Sequence, residues 1–169
     1  DEHYLSHFDY LDVDSVIQEQ KAFGACRDVT LEYPVAENEG EEDNTYLSYN
    51  MVVGNAADSQ MAMAFEVLDY ALLSAPGAPL KQALLDVKAG KDVYGSYDDG
   101  ILQPYFTVIA KGSNPDRKEE FVSVIRQVLG DIVKNGIDRK AVEAGINYFE
   151  FRYREADFSS YPKGLMYSL

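Results

Sequence analysis

The tripeptide Asp98-Asp99-Gly100 constrains this chain more than any other feature. It separates a short strand-like stretch, Val93 to Tyr97, from an apolar one, Leu102 to Lys111, which contains Phe106 and Val108. An Asp-Gly pair favours the tight turn whose twist matches its flanking strands. Strands joined that closely pair antiparallel, because a parallel pair needs a long crossover. A second hairpin is predicted upstream. Thr45 to Val53 puts Leu47, Tyr49, Met51 and Val53 on one face. Val29, Leu31, Tyr33 and Val35 alternate in the same way with Thr30, Glu32 and Pro34, and the acidic turn Glu37 to Asn44 joins the two. Pro34 restricts the first of these strands to an edge or a strand end.

Between and after the hairpins the period changes to that of helices. Asn55 or Asp58 is placed to cap a helix with Met61, Phe65, Leu68 and Leu72 on its apolar stripe. Ser74-Ala75-Pro76-Gly77 breaks it, and a shorter helix is predicted from Pro79 to Lys88. Asn114-Pro115-Asp116 opens a third helix, with Asn114 as cap. Phe121, Val124, Ile125, Val128 and Ile132 form its stripe and Gly136 ends it. Asp138 starts the last helix, with Val142, Ile146 and Phe149 on one face. The predicted order is β-β-α-α-β-β-α-α. The fold class is α+β, a mainly antiparallel sheet with paired helices packed on one face.

The length, 169 residues, suits one domain. Residues 1–26 lack a sustained period and read as a linker or lead-in. Residues 27–169 read as a single α+β domain, truncated at its C-terminus, since the chain stops inside the apolar run Gly164 to Leu169. The net charge is −14, with 15 Lys and Arg against 29 Asp and Glu. That argues against nucleic acid and against anionic membrane surfaces, both of which are bound through Lys and Arg. No apolar run approaches the ~18 residues of a spanning helix. The acidity is local: residues 1–60 net −12 and residues 61–169 net −2. Such a face is a solvated surface or a field that attracts cationic ligands.

No active site emerges from the chemistry of the residues. His3 and His7 would share a helix face and could hold zinc, but Ser6 stands where the inverted motif His-x-x-Glu-His needs its general base. Exposed histidines are the ordinary reading. Cys26, the single cysteine, has no neighbouring His and is expected to be small and partly buried. No glycine-rich phosphate loop precedes a helix. Glu37 to Asp43 lacks the ligand spacing of a calcium loop and reads as a solvated turn. Tyr148, Phe149, Phe151, Tyr153, Phe158 and Tyr161 cluster late in the chain. They serve core packing or grasp an extended peptide.

Longer stretches are more specific. They include Thr45-Tyr46-Leu47-Ser48-Tyr49-Asn50-Met51-Val52-Val53-Gly54, Phe65-Glu66-Val67-Leu68-Asp69-Tyr70 and Ser74-Ala75-Pro76-Gly77-Ala78-Pro79-Leu80-Lys81-Gln82-Ala83-Leu84. Gly95 to Pro104, Glu143 to Arg152 and Arg154 to Phe158, running into Tyr161 to Met166, complete the set. Together they resemble the presequence-protease branch of the insulinase/pitrilysin-like zinc metallopeptidases, from about Tyr4 onward. The resemblance implies an insulinase/processing-peptidase-like domain, the second and non-catalytic one of a much longer chain. It implies a zinc endopeptidase that degrades short unfolded peptides inside a closed chamber, with zinc held outside this segment. Its partners would be the catalytic domain and the C-terminal half of the same chain, and peptide substrates. The alternative is a stand-alone binding or scaffold protein of the same fold. No catalytic or metal position carries over, and no substrate-binding role is assigned, to Arg152, Arg154 or Tyr161 included. A bacterial cytoplasmic setting is favoured, with an organellar matrix as the alternative.

Overall fold

A computed structural model of the protein describes residues 2–38, 40–155, 160–166 and 168. Glu39, Phe158 and the Ala156-Asp157 pair, all singled out above, lie outside the described residues. The element order is β1 (Thr45–Val52), α1 (Ser59–Asp69), a π turn (Tyr70–Ser74), α2 (Pro79–Asp86), β2 (Asp92–Asp98) and β3 (Tyr105–Ser113). A 3-10 turn (Pro115–Arg117), α3 (Lys118–Asn135), α4 (Arg139–Glu155) and α5 (Lys163–Met166) follow. A short 3-10 turn, Leu5–His7, precedes them all.

The sheet has three strands in the order β1-β3-β2, and both pairings are antiparallel. β3 is the central strand, and its alternation decides the rest. Phe106, Val108 and Ala110 point to one face and are buried. Register places Leu47 and Val93 beside Ala110, and Met51 and Tyr97 beside Phe106. The helices cover this face. Leu72, Leu73, Leu80, Leu84, Phe121 and Ile125 join those strand residues in one buried cluster. On the opposite face Tyr46 and Val52 are exposed. There Thr107 donates from its hydroxyl to Asn50, directly across β1, at 2.9 Å.

α4 is carried by α1 and the π turn. Gly145 lets the backbones approach, since a Cβ there would sit 3.1 Å from Val67. Tyr148 stacks on Tyr70 at 4.9 Å between ring centroids. The caps follow the sequence in two cases. Asp58 accepts from the Met61 N–H at 3.0 Å, and Asp138 accepts from the Lys140 N–H at 3.0 Å. Gly136 ends α3 with φ +83°.

Four expectations are corrected. Val29 to Val35 is not a paired strand, and no hairpin joins it to β1. The partner of β1 is β3, which offers a longer apolar stripe than the Pro-containing segment can. The observed order is therefore β-α-α-β-β-α-α. β3 starts at Tyr105 rather than Leu102: Pro104 has no N–H to give, and its carbonyl accepts from Val53 at 2.8 Å instead. Asn114 does not cap α3. Its side chain accepts from the Asp43 N–H at 2.8 Å and donates to the Asp43 carboxylate at 2.7 Å, tying the approach to β1 to the exit from β3. Cys26 is exposed, because the extended segment around it packs against little.

Two glycines separate packing from propensity. A Cβ at Gly95 on β2 would lie 2.2 Å from Leu73 Cδ1 and 2.8 Å from the Thr107 carbonyl. A Cβ at Gly130 in α3 meets nothing within 4 Å. Gly95→Ala should destabilise the fold by about 1–3 kcal/mol through overpacking. Gly130→Ala should stabilise it by about 0.5–1 kcal/mol through helix propensity. Urea unfolding of the two variants checks this; shifts of the same sign would contradict the packing described.

Candidate functional site

The positions flagged by sequence are dispersed. His7 ends a three-residue 3-10 turn and His3 lies before it, both exposed. Residues three apart eclipse in that geometry, so the helical argument for a shared face is lost. Ser6 donates its hydroxyl to the Glu2 carbonyl at 2.5 Å. Among the described residues no three His, Cys, Asp or Glu side chains are grouped to hold a metal. Cys26 Sγ approaches only the Arg27 carbonyl, at 3.9 Å. Arg27 itself lies over the Phe23 ring at 3.8 Å. In the acidic turn, Asp43 is a clasp. Asn114 and then Lys91, 3.3 Å away, hold its carboxyl below the ordinary value. The late aromatic cluster splits between roles: Phe149 is buried, Tyr148 stacks on Tyr70, and Phe151 is exposed.

A different group converges where α1, the β2 end and α4 meet. Glu66 and Asp69 are three apart on α1 and so project on the same side. Tyr153 reaches over from α4 and donates to Glu66 at 3.1 Å. Tyr97 on β2 stacks on Phe65 at 5.4 Å. Asp98 is not part of this group: it accepts from the Tyr105 hydroxyl at 3.0 Å on the opposite face of the sheet. Asp69 lies over β2 at Gly95, and its Oδ1 is buried without a hydrogen-bond partner. Any side chain at 95 would collide with it, which is why the strand is bare there.

Burial sets the electrostatics of this corner. Desolvation raises the Glu66 carboxyl above its ordinary value, with the Tyr153 hydroxyl pulling the other way and Asp99 adding to the rise. Desolvation likewise raises Asp69, opposed by Ser74. Tyr97 is raised by desolvation and then by Asp99, Glu66 and Asp58. The arrangement is a carboxylate-rich, aromatic-edged corner, suited to a cationic or hydrogen-bond-donating group. The serine of this corner, Ser74, is hydrogen-bonded to the Asp69 carboxyl. Sequence reasoning missed it because Glu66 and Asp69 read as solvated helix positions. Only Gly95, on a strand, signals a close approach.

The sign of the pH dependence follows. A carboxyl raised on folding binds its proton more readily in the native state. Its cost to stability is absent below the unfolded value, 3.8 for Asp69, and appears as pH rises through the folded one. Asp69→Asn should therefore raise the urea midpoint at pH 7, with the gain vanishing below the unfolded value. Unfolding titrations across that range check it. A midpoint that falls at pH 7 would show that the charged carboxylate is stabilising.

Residues 2–149 match the profile of the "Peptidase M16 inactive domain". The chain is 44% identical over 168 residues to Protein HypA of Clostridium perfringens, covering 99% of this chain and 17% of that protein. It is 30% identical over 153 residues to presequence protease 1, chloroplastic/mitochondrial, of Arabidopsis thaliana, covering 89% and 14%. It is also similar to the mitochondrial presequence protease of Xenopus laevis, 23% identical over 160 residues, 92% of this chain and 15% of that one. The chain thus spans about a sixth of the length of these relatives. In fold it is similar to the inactive peptidase domain of a Bordetella parapertussis protein described as a zinc protease. The TM-score is 0.61 at 13% identity, over 73% of this chain and 67% of that one. With the profile matched across most of its length, the chain belongs to the Peptidase M16 inactive-domain family.

Proposed function

We propose that this chain is the non-catalytic, chamber-forming second domain of a zinc metalloendopeptidase that degrades short unfolded peptides. The observation that supports it is a pairing of two facts. The inactive-domain profile covers residues 2–149, and no metal-binding group of side chains exists among the described residues. Zinc does not fit the donors present: two exposed imidazoles at the start of the chain, without a grouped carboxylate. In this reading the residues of this chain wall and charge a compartment, and the reacting groups come from elsewhere in the polypeptide. Residues 1–26 lead into the domain, and residues 27–169 form it.

The partners in this reading are the catalytic domain and C-terminal half of the same polypeptide, and peptide substrates. Among the described residues no helix is long and apolar enough to cross a membrane. We place the enzyme in a bacterial cytoplasm, with an organellar matrix as the alternative. The acidity of residues 1–60 supports capture of cationic peptides by long-range attraction. The competing reading, a stand-alone peptide-binding scaffold, draws on the acidic corner around Glu66 and Asp69.

The full polypeptide should hold stoichiometric zinc and cleave a fluorogenic peptide in a chelator-sensitive way. The 169-residue chain, dialysed and analysed for metal, should do neither. Turnover by the chain alone, abolished by a chelator, would overturn the non-catalytic assignment. A full polypeptide without zinc or turnover would favour the scaffold.

A further inference from the structure

We propose that Val29 to Val35 is a β-strand completed by the open edge of a sheet elsewhere in the same polypeptide, outside these 169 residues. The inference rests on the domain reading above. The segment is not part of the sheet, yet its sequence has the alternation of a half-buried strand. Val29 is 69% exposed and Leu31 83%, and as a strand they would share a side with Tyr33 and Val35. Large apolar side chains in that pattern are poorly placed for water, and the described residues leave Val29 and Leu31 largely uncovered.

The hydrogen-bonding edges are unequal. In a strand, the N–H and C=O of one residue point to one edge and those of the next residue to the other. Val29, Leu31, Tyr33 and Val35 serve one edge; Thr30, Glu32 and Pro34 serve the other. Pro34 has no N–H, so the second edge is interrupted and the first is intact. The segment is therefore built for one neighbour, on the odd-numbered side.

The body of the domain holds it near both ends. Asp28 pairs with Lys118 at one end. At the other end the Tyr33 hydroxyl donates to the Asn44 carbonyl, and the Tyr33 ring meets Tyr46 edge-on at 5.8 Å. Fixing both ends lowers the ordering cost of adding a strand. The occupant is a piece of the same polypeptide because most of it lies outside this chain. In the Clostridium perfringens relative the matched region is 17% of the length.

Hydrogen exchange on the full polypeptide, read residue by residue, tests this. The amides of Val29, Leu31, Tyr33 and Val35 should exchange at least about tenfold more slowly than those of Thr30, Glu32 and Asp9 to Ser15. Leu31→Pro removes a bonding N–H and should abolish that protection. Glu32→Pro removes one on the already interrupted edge and should preserve it. Exchange across 29–35 as fast as in residues 9–15 would overturn the proposal, as would equal effects of the two proline variants. Protection lost on dilution would overturn it in favour of a second copy. Zinc content and peptide turnover in the same preparation report on the domain reading separately. Fast exchange with intact turnover sinks only the strand, and slow exchange without zinc or turnover sinks only the protease.

Discussion

The burial of β3 is the constraint on which the rest of this structure depends. β3 alone has neighbours on both edges. It alone presents three consecutive inward positions, Phe106, Val108 and Ala110, that are all buried. β1 and β2 are held by pairing to it, and the helices by packing on its inner stripe. The short loop from Asp98 to Tyr105, longer than the tight turn expected at Asp98-Asp99-Gly100, fixes β2 locally. β1 must instead return across the sequence distance spanned by α1, α2 and β2. What brings it back is the match of Leu47 and Tyr49 to Ala110 and Val108. A register slip of one residue would turn that stripe to solvent.

Those features were legible because each is written within a dozen residues. The α1 and α3 stripes, the break at Ala75-Pro76-Gly77, the antiparallel β2–β3 pair and the glycine after α3 all follow from spacing and backbone chemistry. Partner choice was not legible. Val29 to Val35 and Thr45 to Val53 have the same alternation, and nothing local says that the second pairs with β3 while the first pairs with no strand among the described residues. Asn114 shows the same limit on a smaller scale. Its place before Pro115 fits a cap, but the Asp43 backbone, brought close by tertiary folding, competes for it and wins. The acidic corner was hidden for a related reason. Glu66 and Asp69 are ordinary on a helix, and the approach of Gly95 and Tyr153 leaves them half-buried.

In the function proposed, the chain contributes walls and charge rather than reacting groups. The residue types that carry hydrolysis are scarce and dispersed. Both histidines sit exposed at the start of the chain, Cys26 is exposed with only a backbone carbonyl for company, and Asp43 is spent on holding β1 and the exit from β3 together. The segment ahead of β1 is long, acidic and apolar by turns, and its tethers to the body include Glu19 with Asn55, Gln20 with Gln103, Asp28 with Lys118 and Tyr33 with Asn44. Such a segment is suited to contact with another folded body, which agrees with a domain that works inside a larger chain.

The central claim is that this domain supplies no reacting group. The most direct test is the zinc content and kcat of the full polypeptide carrying His3→Ala, His7→Ala and Cys26→Ala together. The account predicts both unchanged from the unsubstituted protein. Loss of the metal, or a fall in kcat of more than about tenfold, which is about 1.4 kcal/mol of barrier, with the fold intact, would contradict it.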